Sequence, residues 1–326
     1  MSCGLFAVLF YMLFYTLYVV GTMKKLKPYI TAMRLRTLPQ SLAGVALGLL
    51  LATADYVVNP WTAFFTLLTA VFLQILSNTS NELGDFLKGT DRKDDRKGPA
   101  YTLTQGLISE KGYRTMVWTY AALSAASGLT MVWFSFGTFF SYGAIITLFM
   151  GLMAISAAMR YTLGKNPYGY RGYGDLNVFI YFGIVSVLGS YFVAAHEIPN
   201  WYLLLPAVSV GCLSTAVLNV NNIRDIESDR LTRRTIPVRF GEKKAKVYHV
   251  FLVTAGWAAM IGYTMARAFD WWHYLFVFTL PLFIVHLVKV WHLSGKALDP
   301  QLPMLVISTF LFSLLTGIGF VVFLFQ

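Results

Sequence analysis

Nine long apolar segments separated by polar loops constrain the fold of this 326-residue chain more than any other feature. Most are close to the roughly 20 residues that an α-helix needs to cross a bilayer. Hydrophobic residues make up 57% of the chain and charged residues only 13%, about half the share found in soluble domains. Runs of this length favour helices over a barrel. The sequence therefore predicts an all-α polytopic membrane protein with spans near 38–55, 60–84, 113–135, 138–163, 176–195, 200–224, 245–266, 270–291 and 303–325.

The distribution of basic residues explains the net charge of +11. When alternate loops are assigned to opposite sides of a membrane, 25 of the 26 Lys and Arg residues fall on one side, and the exception is Arg267. The positive-inside rule makes that side cytoplasmic. We therefore expect the lipid bilayer, and no nucleic acid, as the partner of the basic loops. The same asymmetry predicts a multi-pass protein of the cytoplasmic (inner) membrane.

A further apolar run, from about residue 5 to residue 20, precedes the nine spans. It lacks a basic region in front of it, which is unlike a secretory signal peptide. It is either an extra helix or an upstream extension, since Met23 begins a sequence that could itself be a start. We divide the chain into an extension or extra helix over 1–22 and a single nine-helix domain over 23–326.

One polar motif occurs twice, each time where an apolar segment ends in a basic loop. The first copy places Asn81 four residues before Asp85, with Asp91 beyond. The second is the run Asn221–Asp225–Asp229. Residues three or four apart lie on one face of a helix, so these carboxylates would crowd together unless a cation joins them. Oxygen ligands of this kind suit Mg²⁺ bound together with substrate phosphates. Asn81 and Asn221, one turn deeper, could ligate or orient through neutral oxygens.

Basic residues on the same side as the two motifs suggest contacts to substrate. Lys165 and Arg171 lie in the third cytoplasmic loop, where they could supply the counter-charge that a leaving diphosphate needs. Arg36 stands where the first span begins, and its guanidinium could bind a substrate carboxylate in a bidentate pair.

Several sequence segments together resemble the UbiA-type intramembrane prenyltransferase superfamily over about residues 30–325. They include the two acidic motifs, Tyr161-x-x-x-Lys165, and the runs 34–39, 169–175 and 221–241. The Gly-Tyr-Arg-Gly segment and the Lys-Gly-Thr-Asp spacing resemble the naphthoate-prenylating branch in particular. The chain departs from the usual pattern at Glu82, where many members have Asp, and at Tyr101, where a basic residue is frequent.

The resemblance implies a nine-helix bundle that transfers a polyprenyl group from polyprenyl diphosphate to 1,4-dihydroxy-2-naphthoate, with loss of CO₂ and diphosphate, giving demethylmenaquinol. It implies that Mg²⁺ is the cofactor, held by Asp85, Asp91, Asp225 and Asp229. It also implies that Tyr161, Lys165 and Arg171 serve catalysis, with Lys165 and Arg171 adding counter-charge. The substrate-binding set is then Arg36, Asn81, Asn221, Lys165 and Arg171.

Two alternatives stay open at this point. The first is prenylation of another aromatic acceptor, such as 4-hydroxybenzoate. The second, from a different class, is a membrane transporter or metal-ion carrier. Transporters place their ionisable residues near the bilayer midplane, whereas both acidic motifs here lie at one end of their segments, which favours an enzyme.

Overall fold

A computed structural model of the chain describes residues 22–90, 101–267 and 270–322. Within these ranges the protein consists of helices and loops, without strands. A short helix α1 leads into nine long helices, and two short helices, α8 and α9, lie between the sixth and the seventh of these. The elements are α1 (Thr22–Ala32), α2 (Leu38–Asp55), α3 (Pro60–Leu87), α4 (Glu110–Phe136), α5 (Tyr142–Arg160), α6 (Gly174–Ala195), α7 (Leu204–Arg224), α8 (Ile226–Asp229), α9 (Ile236–Phe240), α10 (Glu242–Arg267), α11 (Leu280–His292) and α12 (Gln301–Val322).

The nine long helices of the described ranges coincide with the nine predicted spans to within a few residues at each end, when α11 is counted together with the 3₁₀ helix Trp271–Thr279 that precedes it. Eight of them, counted with their adjoining turns, are long and apolar enough to cross a membrane. The remaining one, α4, is 27 residues long, but Ser and Thr residues along its length lower its hydropathy. The all-α polytopic architecture is confirmed, whereas the apolar run over residues 5–20 lies outside the described part of the chain.

Local signals in the sequence explain where several helices begin. Asn59, Ser109 and Ser141 are N-cap residues whose side chains accept hydrogen bonds from backbone N–H groups of the first turn. Such caps satisfy donors that would otherwise lack a partner inside the helix. Pro60 follows Asn59 at the first helical position, where the absence of an N–H costs nothing. The short loops before α3 and α5 thereby become sharp reversals between antiparallel helices.

Two hydrophobic clusters lie on either side of a cavity. The larger cluster joins α2, α6, α7, α10 and α12, with Leu47, Leu213, Met260 and Phe312 among its fully buried members. The smaller cluster joins α1, α3 and α4 with the segment after residue 101, and Tyr113 is buried within it. Since the two clusters are separate, the space between them is left open to form a site.

Glycines bring α2 and α6 into close contact beside this cavity. A Cβ atom at Gly44 would lie 2.0 Å from the Ser186 hydroxyl oxygen, and one at Gly48 would lie 2.1 Å from that of Ser190. Such distances are far below van der Waals contact, so only glycine allows this approach. The same part of α6 contains a π-helical stretch over Phe179–Val185. Stretches of this kind are frequent at functional sites, and this one faces the cavity.

Candidate active site

The cavity has a volume of about 810 Å³ and extends along much of α7. Trp201 and Leu204 line it near the start of this helix, and Asn221 and Arg224 line it near the end. Its walls are mainly apolar and come from α2, α3, α5, α6 and α7. Its polar end is formed by residues of both acidic motifs and their neighbours, namely Arg34, Asn78, Asn81, Asp85, Tyr161, Asn221, Arg224, Asp225 and Arg233. The arrangement is suited to a long apolar molecule with a charged head.

The first motif is tied to the second by a single arginine. Asp85, in the last turn of α3, is only 7% exposed and binds the guanidinium of Arg233. The same guanidinium forms an ion pair with Asp229, at 3.7 Å between Arg233 Nε and Asp229 Oδ1. Burial by itself lowers the pKa of Arg233, but the two carboxylates outweigh it and raise the pKa well above its usual value. Arg233 therefore remains charged and holds two carboxylates from distant parts of the sequence together.

Tyr170 completes the surroundings of Asp85. Its hydroxyl donates to Asp85 Oδ1 at 2.5 Å, and its ring lies 4.9 Å from the Arg233 guanidinium. Burial, followed by the Asp85 carboxylate, raises the pKa of this phenol above its usual range. Tyr170 is therefore a neutral hydrogen-bond donor at physiological pH.

The second motif is organised in a parallel way around Arg224. This side chain forms two hydrogen bonds to Asp225, at 2.9 Å and 2.6 Å, and its Nη2 also donates to Asn221 Oδ1 at 2.8 Å. Its Nη1 pairs with Asp299 at 3.1 Å. The structure thus brings Asn221 and Asp225 together at the cavity, as the spacing predicts, with an arginine between the motif and Asp299.

Asn81 and Tyr161 also line the polar end. The Thr162 hydroxyl hydrogen-bonds to Asn81 Oδ1 at 3.3 Å. The ring of Tyr161 stands edge-on to that of Tyr168, with their centroids 5.4 Å apart. Burial raises the pKa of Tyr161 to about 12, so its hydroxyl keeps its proton at neutral pH. Both residues therefore offer neutral polar atoms to whatever occupies the cavity.

At the junction of α1 and α2 the structure selects a different arginine from the one that the sequence suggests. Arg34 lines the cavity and pairs with Glu82 at 3.2 Å. Arg36 is exposed and is not part of the cavity lining. Arg34 has φ 51°, which turns the chain sharply before α2 and separates the directions of the two side chains. Glu82, fully buried, also accepts hydrogen bonds from Leu103 N and Thr102, so its role is to anchor Arg34 and this segment.

Lys165 and Arg171 lie beside the cavity rather than in its lining. Lys165 is exposed, and its backbone oxygen accepts a hydrogen bond from Lys88 Nζ at 3.4 Å. Arg171 is also exposed and lines a separate depression together with Tyr170. The predicted counter-charges are therefore near the acidic end, but outside the first layer of side chains around the cavity.

The residues present fit a cation that binds through oxygen atoms. Carboxylate oxygens are the ligands that Mg²⁺ prefers, and Asp85 and Asp229 already share one positively charged group, that of Arg233. Within the described ranges, no three His, Cys, Asp or Glu side chains lie close enough together to hold a metal ion. Asp91, the fourth predicted ligand, lies outside those ranges. The ligand set consequently remains a prediction.

Sequence reasoning missed the arginines that organise both motifs. Arg233 follows Asp229 by four residues, and Arg224 directly precedes Asp225, so both positions could have been noticed as neighbours of the motifs. A basic loop next to a membrane span is normally attributed to topology, which conceals such roles. Tyr170, in a tyrosine-rich loop, was hidden in the same way among interfacial aromatic residues.

Comparison with known proteins agrees with this geometry. The model of the UbiA prenyltransferase family matches residues 41–323. The 1,4-dihydroxy-2-naphthoate octaprenyltransferase of Haemophilus influenzae is 34% identical over 306 residues, which cover 92% of this chain and 97% of that protein. The protein of the same name from Escherichia coli is 36% identical over 294 residues, covering 89% and 94% respectively.

Solved structures share the fold. A UbiA homologue from Aeropyrum pernix aligns with a TM-score of 0.65 at 17% identity, covering 90% of this chain and 98% of that one. A UbiA homologue from Archaeoglobus fulgidus, solved bound to GPP and Mg²⁺, aligns with a TM-score of 0.61 at 15% identity, covering 90% and 99%. With the family match over most of its length and its multiple membrane-spanning helices, this chain belongs to the UbiA prenyltransferase family and is a membrane prenyltransferase.

Proposed function

We propose that the protein transfers a polyprenyl group from polyprenyl diphosphate to 1,4-dihydroxy-2-naphthoate, releasing CO₂ and diphosphate and giving demethylmenaquinol. One observation carries the proposal: carboxylates from both motifs, Asp85 and Asp229, share Arg233 at the polar end of a long apolar cavity. The naphthoate as acceptor is supported by the names of relatives that are 34–36% identical over most of the chain.

The shape and lining of the cavity suit the polyprenyl diphosphate donor. An isoprenoid tail is purely apolar, and the walls from α5 and α6 offer it side chains such as Ile146, Met150 and Ile184. The diphosphate would then lie at the opposite end of the donor, near Asp85, Asp225 and the basic loops. Burial of the tail favours binding by about 25 cal/mol per Å² of apolar surface, so a long chain binds tightly without polar contacts.

Mg²⁺, when bound, would neutralise the diphosphate and ease its departure, held by Asp85, Asp225 and Asp229 and by Asp91 of the adjoining segment. The protein's own residues add to this. Lys165 and Arg171 supply positive charge near the departing group, and Tyr161 supplies a protonated hydroxyl beside it. Asn81 and Asn221 orient the neighbouring groups through neutral oxygens.

The chemistry requires a dry site. The C–O bond of the donor breaks and its electron pair leaves with the diphosphate, which produces an allylic cation that water would destroy. The apolar walls exclude water from this carbon. The electron-rich ring of the acceptor forms the new C–C bond, and the ring's carboxylate departs as CO₂. Before that, the carboxylate needs a positively charged partner, and Arg34 is the arginine of the α1–α2 junction that lines the cavity.

We further propose that residues 23–326 form one catalytic domain and that its acidic end faces the cytoplasm. With the exception of Arg267, the Lys and Arg residues fall on the same side of the predicted topology as the two motifs, as the positive-inside rule requires of a cytoplasmic side. If polyprenyl diphosphate is made in the cytoplasm, its diphosphate group would reach this end without crossing the bilayer. The membrane is then the cell's inner membrane.

A defined reaction tests the function. The purified protein in detergent receives polyprenyl diphosphate, MgCl₂ and 1,4-dihydroxy-2-naphthoate labelled with ¹³C in its carboxyl group. We expect demethylmenaquinol by mass spectrometry and one labelled CO₂ per product. 4-Hydroxybenzoate is the comparison acceptor. A prenylated 4-hydroxybenzoate that retains its carboxyl group, with no naphthoate product, would contradict the proposal.

A further inference from the structure

A second depression, of about 580 Å³, lies beside the acidic end of the cavity. Five residues line it, three of them arginines: Tyr170, Arg171, Tyr173, Arg234 and Arg239. The arginines come from three places, namely the loop before α6, the loop after α8, and α9. The established cavity does not include any of these three side chains in its lining. The depression is therefore a separate basic feature that prenyl transfer as described above leaves largely unexplained.

Backbone contacts hold the arginines of the depression in place. The backbone N–H of Arg234 donates to Tyr170 O at 3.1 Å, and Arg239 Nη2 donates to Arg171 O at 3.2 Å. Gly172 has φ 90°, and a Cβ at this position would lie 2.6 Å from Arg234 O, so glycine is required there. The two loops are thus fastened to each other, and the guanidinium of Arg239 is held beside the backbone of Arg171.

The positive charge in the depression is not balanced by protein. In the described part of the chain, no acidic side chain forms an ion pair with any of these three arginines, whereas the neighbouring Arg224, Arg230 and Arg233 each pair with a carboxylate. Three like charges gathered at one place repel each other. An anion with several oxygens relieves that repulsion, and guanidinium groups match phosphate oxygens in a bidentate geometry.

A single side chain separates the depression from the acidic end of the cavity. Tyr170 lines the depression, while its hydroxyl binds Asp85 and its ring covers Arg233. An anion in the depression would therefore lie next to the place where a diphosphate is released, on the side of the protein that carries the exposed loops. Neither Asp85 nor Arg233 would have to give up its partner to bind it.

We propose that Arg171, Arg234 and Arg239 form a second binding site, for a phosphate-bearing anion, that does not require a metal ion. Two molecules carry this chemistry here: the inorganic diphosphate released by the reaction and the head group of an anionic phospholipid. The diphosphate source rests on the proposed function, whereas the lipid source is independent of it.

Binding of inorganic diphosphate to the full chain in detergent tests the site. The titration is made by calorimetry in EDTA, which removes metal-dependent binding at the acidic motifs. We expect the double variant Arg234→Gln/Arg239→Gln to bind diphosphate at least about tenfold more weakly than the unchanged protein, because two charge-assisted contacts are lost. Arg160→Gln, at an exposed arginine outside the depression, is the matched control and should change affinity by less than about twofold.

Further variants and a lipid titration separate the possible results. Arg234→Lys/Arg239→Lys retains the charge and should retain most of the affinity, and the single variant Arg234→Gln is used if the double variant does not fold. A second titration compares short-chain phosphatidylglycerol with phosphatidylcholine. Loss of diphosphate binding identifies the soluble anion as ligand, and loss of the preference for phosphatidylglycerol identifies the lipid. If neither affinity changes more than in Arg160→Gln, the site does not exist. Turnover is not measured, so a failure of the proposed function would not produce these results.

Discussion

The bundle has an aspartate–arginine pair at each of its two ends, and the two pairs differ in their surroundings. At the end away from the acidic motifs, Asp55 at the close of α2 binds Arg267 at the close of α10. At the cavity end, Asp85 binds Arg233. The same two side-chain types therefore occur both in the lining of the cavity and outside it.

The far pair is matched one to one and enclosed by aromatic rings. Asp55 accepts a hydrogen bond from Tyr191 at 2.8 Å, and Arg267 donates to Tyr263 at 2.8 Å. The Arg267 guanidinium also lies within 6 Å of the rings of Tyr202 and Phe320. Every charge here has its partner, so the pair joins α2 to α10 and has no remaining capacity for a ligand.

The arginine of the cavity pair is shared. Arg233 binds the carboxylates of Asp85 and Asp229, and Arg224 of the second motif binds those of Asp225 and Asp299. Asp85, Asp225 and both arginines line the cavity, whereas Asp55 and Arg267 do not. The comparison shows that position beside the cavity and shared partners, rather than residue type, distinguish these contacts from a structural ion pair.

The largest expected effect tests this difference directly. Asp85→Asn should lower the turnover number by about a hundredfold or more. It removes a carboxylate that is proposed to hold Mg²⁺, the ion that would stabilise the departing diphosphate. Asp55→Asn, the same change at the far end, should leave the turnover number of the folded protein within about twofold. Release of diphosphate is measured at saturating Mg²⁺. Comparable losses in both variants would mean that the two ends do not differ in function.

The next prediction concerns the free energy of unfolding, and here Asp55→Asn should have a larger effect than Asp85→Asn. Asp55→Asn leaves Arg267 among aromatic rings without its carboxylate, and should cost about 1.5–3 kcal/mol of unfolding free energy. Asp85→Asn relieves the crowding of two carboxylates and should cost less. Thermal unfolding of both variants in detergent, without Mg²⁺, gives the comparison. The ranking would be refuted by a larger fall in melting temperature for the Asp85 variant.

A smaller effect is expected at Tyr170. Tyr170→Phe removes the hydroxyl that binds Asp85 but keeps the ring over Arg233, so the turnover number should fall by about three- to tenfold, the value of one hydrogen bond. Tyr191→Phe removes the corresponding hydroxyl from Asp55 and serves as control, with unchanged turnover. An equal response of the two tyrosine variants in the diphosphate assay would remove Tyr170 from the active site.

The smallest effect separates the two arginines at the start of α2. Arg34→Gln should raise the Michaelis constant of the acceptor, because Arg34 lines the cavity. Arg36→Gln should change it by less than about twofold, since its side chain is exposed. The initial rate is measured against naphthoate concentration at saturating donor. A clear rise for Arg36 alone would restore the original assignment of the acceptor carboxylate to that residue.

The long helices could be derived from the sequence, most of their ends to within a few residues, because hydropathy over about 20 residues is a local property of the chain. The position of the acidic motifs at the ends of α3 and α7 followed from the same reasoning. The cavity between two hydrophobic clusters did not, since it depends on how helices from different parts of the chain pack together.

The sequence by itself determined a multi-pass helical protein with its basic loops on one side and two acidic motifs at the ends of helices. Only the tertiary structure decided which arginine neutralises which carboxylate: Asp85 meets Arg233 across a separation of 148 residues. It also decided that Arg34, and not Arg36, faces the cavity, and that Arg171 belongs to a separate basic depression. Periodicity and charge patterns describe neighbours along the chain, whereas these contacts arise from the packing of distant helices and from the left-handed turn at Arg34, which no local pattern specifies.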